Sequence, residues 1–247
     1  MTVARFDGRV VIVTGAARGL GRDYARYFAQ DGAHVALADV KGTDAAVDEA
    51  SNAGPRCIGV EVDVTDRAST EAMVRRVGDE FGRLDMLVNN AGLWRGLAEA
   101  GLLRCPEDVW EAAWAVNVTG TLHCYQAAVP VMIEAGWGRV INVSSMAAVG
   151  GGNVYSLTKA TVERMTRGMA REVGDHGITV NCIAPGISAF EAAASELDTA
   201  AATVAANAIK RLGTTRDLYE AMAYLCSDAA SWVTGQTWRV DGGATIR

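Results

Sequence analysis

Residues Val10–Thr14 read Val-Val-Ile-Val-Thr, an unbroken apolar run that stops at a glycine. A strand with no polar alternation must be buried on both faces, which calls for a largely parallel sheet covered by helices on either side. The next twenty-five residues narrow the choice. Gly15-Ala-Ala-Arg18-Gly19-Leu20-Gly21 is a glycine-rich turn, a helical pattern then runs to Asp31, and a second apolar run, His34–Asp39, ends on an acid. The alternation continues to the end of the chain. Helices are expected over 43–53, 68–81, 107–135, 155–176 and from Thr214 or Thr215 to Cys226, with strands over 57–62, Met86–Asn89, 139–144, 178–183 and 235–240. No repeat, linker or low-complexity break interrupts this order, so residues 1–247 are expected to form one domain.

Strand, glycine turn, helix, strand, acid is the arrangement that binds a dinucleotide. Glycines let backbone amides approach a pyrophosphate, and the N-terminus of the following helix adds partial positive charge. Asp39 stands where a carboxylate can accept from both hydroxyls of an adenosine ribose and would repel a 2′-phosphate, so NAD is favoured over NADP. Arg18 and Lys41 could soften that repulsion. Asn89-Asn90-Ala91-Gly92 places small residues and amides at another strand's carboxyl end, suited to the floor of a ligand crevice, and the segment from Trp94 to Leu103 is expected to form a loop over it.

Composition removes several classes of function. Of 247 residues half are hydrophobic and the formal charge is −6 without a basic run, which argues against a nucleic-acid partner. The five cysteines form no Cys-x-x-Cys pair, and His34, His123 and His176 have no ligand-like spacing, so neither a disulfide frame nor a metal site is expected. No signal peptide or membrane span is legible, and a cytoplasmic protein is the default expectation.

A second stretch carries the chemistry. Tyr155 and Lys159 are four residues apart, on one face of a helix if the segment is helical. Alone, such a pair is an ordinary solvated one. Beside a cofactor crevice it is an acid and base, because a nearby cation favours the phenolate. Ser145 reaches the same region from a different backbone segment, with Ser144 as the adjacent alternative. Asn117, in the middle of the long 107–135 helix, is a poor helix former, and a kink there could aim a carbonyl or a water.

Taken together, Thr14-Gly-x-x-x-Gly-x-Gly21, Asp63-Val64, Asn89-Asn90-Ala91-Gly92, Asn117, Ser145, Tyr155-x-x-x-Lys159, Pro185-Gly186 and Asp241-Gly242-Gly243 make the chain resemble a short-chain dehydrogenase/reductase of the single-domain type over nearly its whole length. The resemblance implies a doubly wound, three-layer α/β (Rossmann) fold with a mostly parallel seven-stranded sheet, a nicotinamide cofactor and a homotetramer built on two long helices. It implies that Tyr155 exchanges a proton with the substrate oxygen and that Lys159 assists it while holding the nicotinamide ribose. Ser145 would position the substrate oxygen, and Asn117 would fix a relay water. Gly15, Arg18, Gly19, Leu20, Gly21, Asp39, Asp63, Val64, Asn89, Ala91, Gly92, Pro185, Gly186 and Ser188 would contact the cofactor.

Two departures from the family pattern bear on the substrate. Ser145 and Tyr155 are ten apart, a few fewer than usual, and the glycines at 150–152 would let the shortened loop close. Phe190 stands near the position of a customary threonine, with Ser188 as a possible substitute. Residues 187–207 are expected to form a substrate lid. Trp94, Met146, Val149 and Phe190 give an apolar pocket wall, which predicts a hydrophobic, uncharged secondary alcohol or its ketone as substrate, with an NADPH-dependent 3-oxoacyl carrier-protein reductase as the alternative and a catalytically inactive cofactor-binding regulator as the third.

Overall fold

The computed structural model describes residues 4–94, 96–97, 101–187 and 197–246. Seven strands form one sheet in which every pairing is parallel: β1 (Val10–Thr14), β2 (His34–Asp39), β3 (Cys57–Glu61), β4 (Met86–Asn89), β5 (Gly138–Val143), β6 (Ile178–Pro185) and β7 (Thr237–Val240). The spatial order is β3-β2-β1-β4-β5-β6-β7. The chain winds outward from β1 in one direction and from β4 in the other, so a crevice opens at the carboxyl ends of these two neighbours.

The apolar run of β1 explains its central place. All five residues are buried, and alternate side chains enter different cores. Val11 and Val13 pack with Phe28 and Tyr219, whereas Val10 and Ile12 pack with Val74, Val129 and Met169. The first layer comes from α1 (Gly19–Gln30), α2 (Asp44–Ser51) and a later helix over Thr215–Cys226; the second from α3 (Arg67–Phe81), α5 (Gly120–Ala135) and α6 (Val154–Val173). Each such buried aliphatic side chain contributes roughly 1.5–3 kcal/mol relative to exposure.

The 107–135 segment differs from the expected continuous helix. It divides into α4 (Glu107–Trp114), a π-helical turn over Ala115–Thr119 and α5, with Asn117 buried inside the turn. One extra residue in that turn rotates the asparagine amide out of the helix ladder toward β4's end, a common way for a helix to aim a polar group. Val154–Val173 continues as a 3₁₀ turn to His176, and Asn153 and Ser156 form a reciprocal capping box at its start. Of the expected lid, Leu197–Ala206 is α7, while Ser188 and Phe190 lie outside the described residues. Thr215–Cys226 is α8, capped by Thr214. Among the described residues, no helix is long and apolar enough to cross a membrane.

Candidate active site

The glycine turn is shaped by close approach. Gly15 and Gly19 have φ of 65° and 63°, and a Cβ on Gly15 would fall 2.9 Å from Ala91 Cα. A Cβ on Gly21 would collide with the carbonyl oxygen of Gly15, so this glycine presses the helix onto the turn and does not itself line the crevice. Arg18 occupies the N-cap of α1 without a side-chain capping bond, which leaves the helix N-terminus suited to an anion. Thr14 ties the two central strands together: its Oγ1 accepts from the amides of Asn90 and Ala91, both at 3.0 Å, while Asn90 Nδ2 donates to the carbonyls of Thr14 and Gly15 at 2.9 and 3.2 Å.

A cleft of about 440 Å³ runs from this turn across the sheet. One end is formed by Gly15, Arg18, Gly19, Leu20, Asp39 and Lys41; the middle by Asp63, Val64, Ala91 and Gly92; and the other end by Leu93, Trp94, Val116, Ser145, Tyr155 and Lys159, with Pro185. Asp39 is held at the rim, its Oδ2 accepting from the Ala17 amide at 3.0 Å and its Oδ1 from the Lys41 amide at 3.4 Å. Asp63 is fixed by Thr65, whose amide and hydroxyl donate to its Oδ1 at 2.9 and 2.7 Å.

Around Tyr155 the sequence is brought together from four elements. Lys159 is 5% exposed, donates from Nζ to the carbonyl of Val143 at 2.8 Å, and lies 5.8 Å from the centre of the Tyr155 ring. Gly92 makes room for it: a Cβ there would stand 3.2 Å from Asn117 Oδ1 and 3.4 Å from Lys159 Nζ. Asn117 accepts from the Leu93 amide at 2.7 Å and donates to the Leu93 carbonyl and Thr158 Oγ1, both at 3.0 Å. Its side chain thus clamps the cleft wall. Ser145 lies in the cleft with its Oγ accepting from the Ala147 amide at 3.1 Å, whereas the Ser144 hydroxyl turns into the protein and shares its one proton between Lys159 O and Glu163 Oε1.

Several of the expected residues lie away from the main cleft. The Asn89 side chain donates to Asn142 Oδ1 at 2.9 Å inside the sheet-helix layer; Asn90 is the asparagine that lines the cleft. Strand alternation at β4's end is the signal that would have separated them. Gly186 packs against Asp241, where a Cβ would be 2.6 Å from its Cα, and it does not line the cleft. Met146 and Val149 open on a second cavity of about 320 Å³, shared with Gly150, Gly151 and the tail residues Ala244–Ile246, and are absent from the lining of the main cleft. The short loop between Ser145 and Tyr155 coils into a 3₁₀ turn over Met146–Val149, which swings those side chains toward the C-terminal tail. Ala17, Val40, Val62 and Val116 line the cleft without having been assigned to it; none carries a motif of its own.

A doubly wound parallel sheet with a glycine turn under a cleft at its switch point is the architecture of a dinucleotide-binding enzyme. A family model described as enoyl-(acyl carrier protein) reductase matches residues 15–245. The chain is 40% identical over 245 residues to cis-4-hydroxycyclohexanecarboxylate dehydrogenase of Sinomonas cyclohexanicum, covering 97% of this chain and 98% of the relative. It is 36% identical over 250 residues to 3-oxoacyl-[acyl-carrier-protein] reductase of Thermotoga maritima, covering 98% and 100%. A crystal structure from Sinorhizobium meliloti 1021, described as a short-chain alcohol dehydrogenase, superposes with a TM-score of 0.92 at 30% identity over 98% of both chains. The chain belongs to the short-chain dehydrogenase/reductase family and is an oxidoreductase that uses a nicotinamide cofactor.

Proposed function

We propose that this oxidoreductase interconverts a secondary alcohol and its ketone with NAD, using Tyr155 as general acid and base. The observation that carries the reading is the buried Lys159 ammonium, tied to Val143 O at 2.8 Å and one helical turn from Tyr155. The nicotinamide, when bound, supplies the hydride acceptor or donor. The glycine turn fits such a group, since its close backbone approach and uncapped helix N-terminus suit a pyrophosphate.

In the direction of alcohol oxidation, Ser145 donates a hydrogen bond to the substrate oxygen and sets it against the phenol. Tyr155 takes the hydroxyl proton, and the Lys159 ammonium stabilises the negative charge on the phenol oxygen before that transfer. Asn117 holds Leu93 and, through it, the cleft wall beside Lys159. Its carbonyl accepts from Thr121 Oγ1 at 2.9 Å and keeps a second lone pair for a relay water.

Asp39 favours NAD. Its carboxylate is pinned at the rim by two backbone amides, so a 2′-phosphate would meet a negative charge that cannot swing away. At the substrate end, Leu93, Trp94 and Val116 are apolar, and among the described residues the other cations lining the cleft, Arg18 and Lys41, lie at the glycine-turn end. This supports an uncharged, hydrophobic substrate such as an aryl or alicyclic alcohol. The ring alcohol in the name of the Sinomonas relative is of the same kind, although that compound also carries a carboxylate. Trp110, Ile133 and Leu157, apolar and more than one-third exposed on α4, α5 and α6, support assembly into a homotetramer through these helices.

The test is appearance of reduced cofactor from NAD or NADP with a panel of hydrophobic secondary alcohols at mildly alkaline pH. Turnover with NAD and neutral alcohols supports the reading. Turnover with NADP alone would favour the 3-oxoacyl carrier-protein reductase reading, for which the Thermotoga relative and the placement of Arg18 and Lys41 in the cleft speak. An inactive chain that still binds cofactor would favour a regulator.

A further inference from the structure

Two donors, the Lys159 ammonium and the Ser144 hydroxyl, join the end of β5 to a single turn of α6. Lys159 Nζ donates to Val143 O at 2.8 Å, and the Ser144 hydroxyl stands 3.1 Å from Lys159 O and 3.2 Å from Glu163 Oε1. Glu163 is 8% exposed, and its other carboxylate oxygen pairs with Arg239 Nη2 of β7 at 3.2 Å. A carboxylate this buried is retained only where its partners are in place. The proton transfer at Tyr155 makes no chemical use of it.

Its place in the fold gives it one. Tyr155, Lys159 and Glu163 are spaced four apart on α6 and so share one helix face. Ser144 and Ser145 are adjacent at the strand end, so anchoring one hydroxyl toward α6 directs the other into the cleft. The separation between Ser145 and Tyr155 is therefore set by how β5 and α6 are fastened, and the fastening passes through Ser144 and Glu163. Arg239 neutralises the carboxylate and ties the same point to β7.

We propose that Glu163, held by Arg239, is a positioning residue that acts through Ser144 to keep Ser145 aligned with Tyr155 and Lys159. This role rests on the acid–base reading of Tyr155. A displacement of about 1 Å in such a site costs on the order of a hundredfold in rate, so partial loosening of this junction is readable in kcat.

The experiment compares the full-length wild type with Ser144→Ala, Glu163→Ala, Glu163→Gln and the Ser144→Ala/Glu163→Ala double variant, using NAD and the best alcohol of the panel. Thermal denaturation and NADH binding by fluorescence are measured on each. The expected result for Glu163→Ala is a fall in kcat of about tenfold with KM and NADH affinity within about twofold of wild type. Glu163→Gln, whose amide oxygen can still accept from Ser144, should recover most of kcat, and the double variant should lose no more than the worse single one. Folded Ser144→Ala and Glu163→Ala proteins with wild-type kcat, or additive losses in the double variant, would overturn the proposal. A wild type that turns over no alcohol or ketone would remove the acid–base reading itself and this proposal with it.

Discussion

Asn117 Oδ1 and the amide of Leu93 are 2.7 Å apart, and the same side chain donates back to the Leu93 carbonyl at 3.0 Å. A single residue from the π-helical turn thus replaces the partner that the backbone of the cleft wall lacks once β4 has ended. The clamp joins fold to chemistry, because Gly92, the preceding residue, packs between Asn117 and Lys159.

Asn117→Ala should therefore damage both. Deleting the amide leaves two backbone groups of Leu93 without their partner and removes one of the two hydrogen bonds at Thr158 Oγ1, at a cost of about 2 kcal/mol. A lower denaturant midpoint at unchanged slope would record this, and the fraction that remains folded should show a reduced kcat.

Asp39→Ser removes the fixed carboxylate at the cleft rim while Arg18 and Lys41 remain. The ratio of kcat/KM for NAD to that for NADP should fall at least about tenfold, equivalent to roughly 1.4 kcal/mol. Initial rates with both cofactors measure it directly, and an unchanged ratio would mean that Asp39 does not discriminate between them.

The cysteines should divide sharply in reactivity. Burial pushes the thiols of Cys124, Cys182 and Cys226 up to about 12, with the charge of Glu163 adding to the effect at Cys182, and burial also raises that of Cys57. Cys105 is part-exposed. A thiolate reagent at neutral pH should modify Cys105 rapidly in the native protein and the other four only on unfolding.

The start of α8 should give stability a dependence on acid. Hydrogen bonding from Arg211, helped by Thr214, holds the Asp217 carboxyl well below the usual carboxylate range. A depressed folded value means that the contribution is complete above the ordinary aspartate value of about 3.9 and is lost as pH falls from there toward the folded value. Asp217→Asn should lower the unfolding midpoint at neutral pH, and the gap to wild type should narrow below about pH 4. Thr214→Ala, which removes the N-cap oxygen, should cost about 1 kcal/mol.

The fold was legible because its signals are local. An apolar run such as Val10–Thr14 can only be a strand covered on both sides, and the glycines after it permit a turn that other residues would obstruct. The seven strands accordingly lie where the sequence places them, displaced by a residue or two at their ends. The helix over 107–135 was less legible, since the π-helical turn around Asn117 depends on partners at Leu93 and Thr158 that are distant in sequence. Facing was harder still. Strand alternation separates Asn89, which turns to Asn142, from Asn90, which reaches the cleft, but nothing local says that Met146 and Val149 meet the tail. Glu163 carries no motif; its role depends on the strand end that α6 packs against.

The central claim is that Tyr155 moves the proton. Its most direct test is steady-state oxidation of the best secondary alcohol by wild type and Tyr155→Phe with NAD, alongside NADH binding to each. The expected result is a loss in kcat of about 10²–10⁴ for the phenylalanine variant, with NADH affinity nearly unchanged because the glycine turn and Asp39 are untouched. A Tyr155→Phe enzyme that keeps kcat within about threefold of wild type would contradict it.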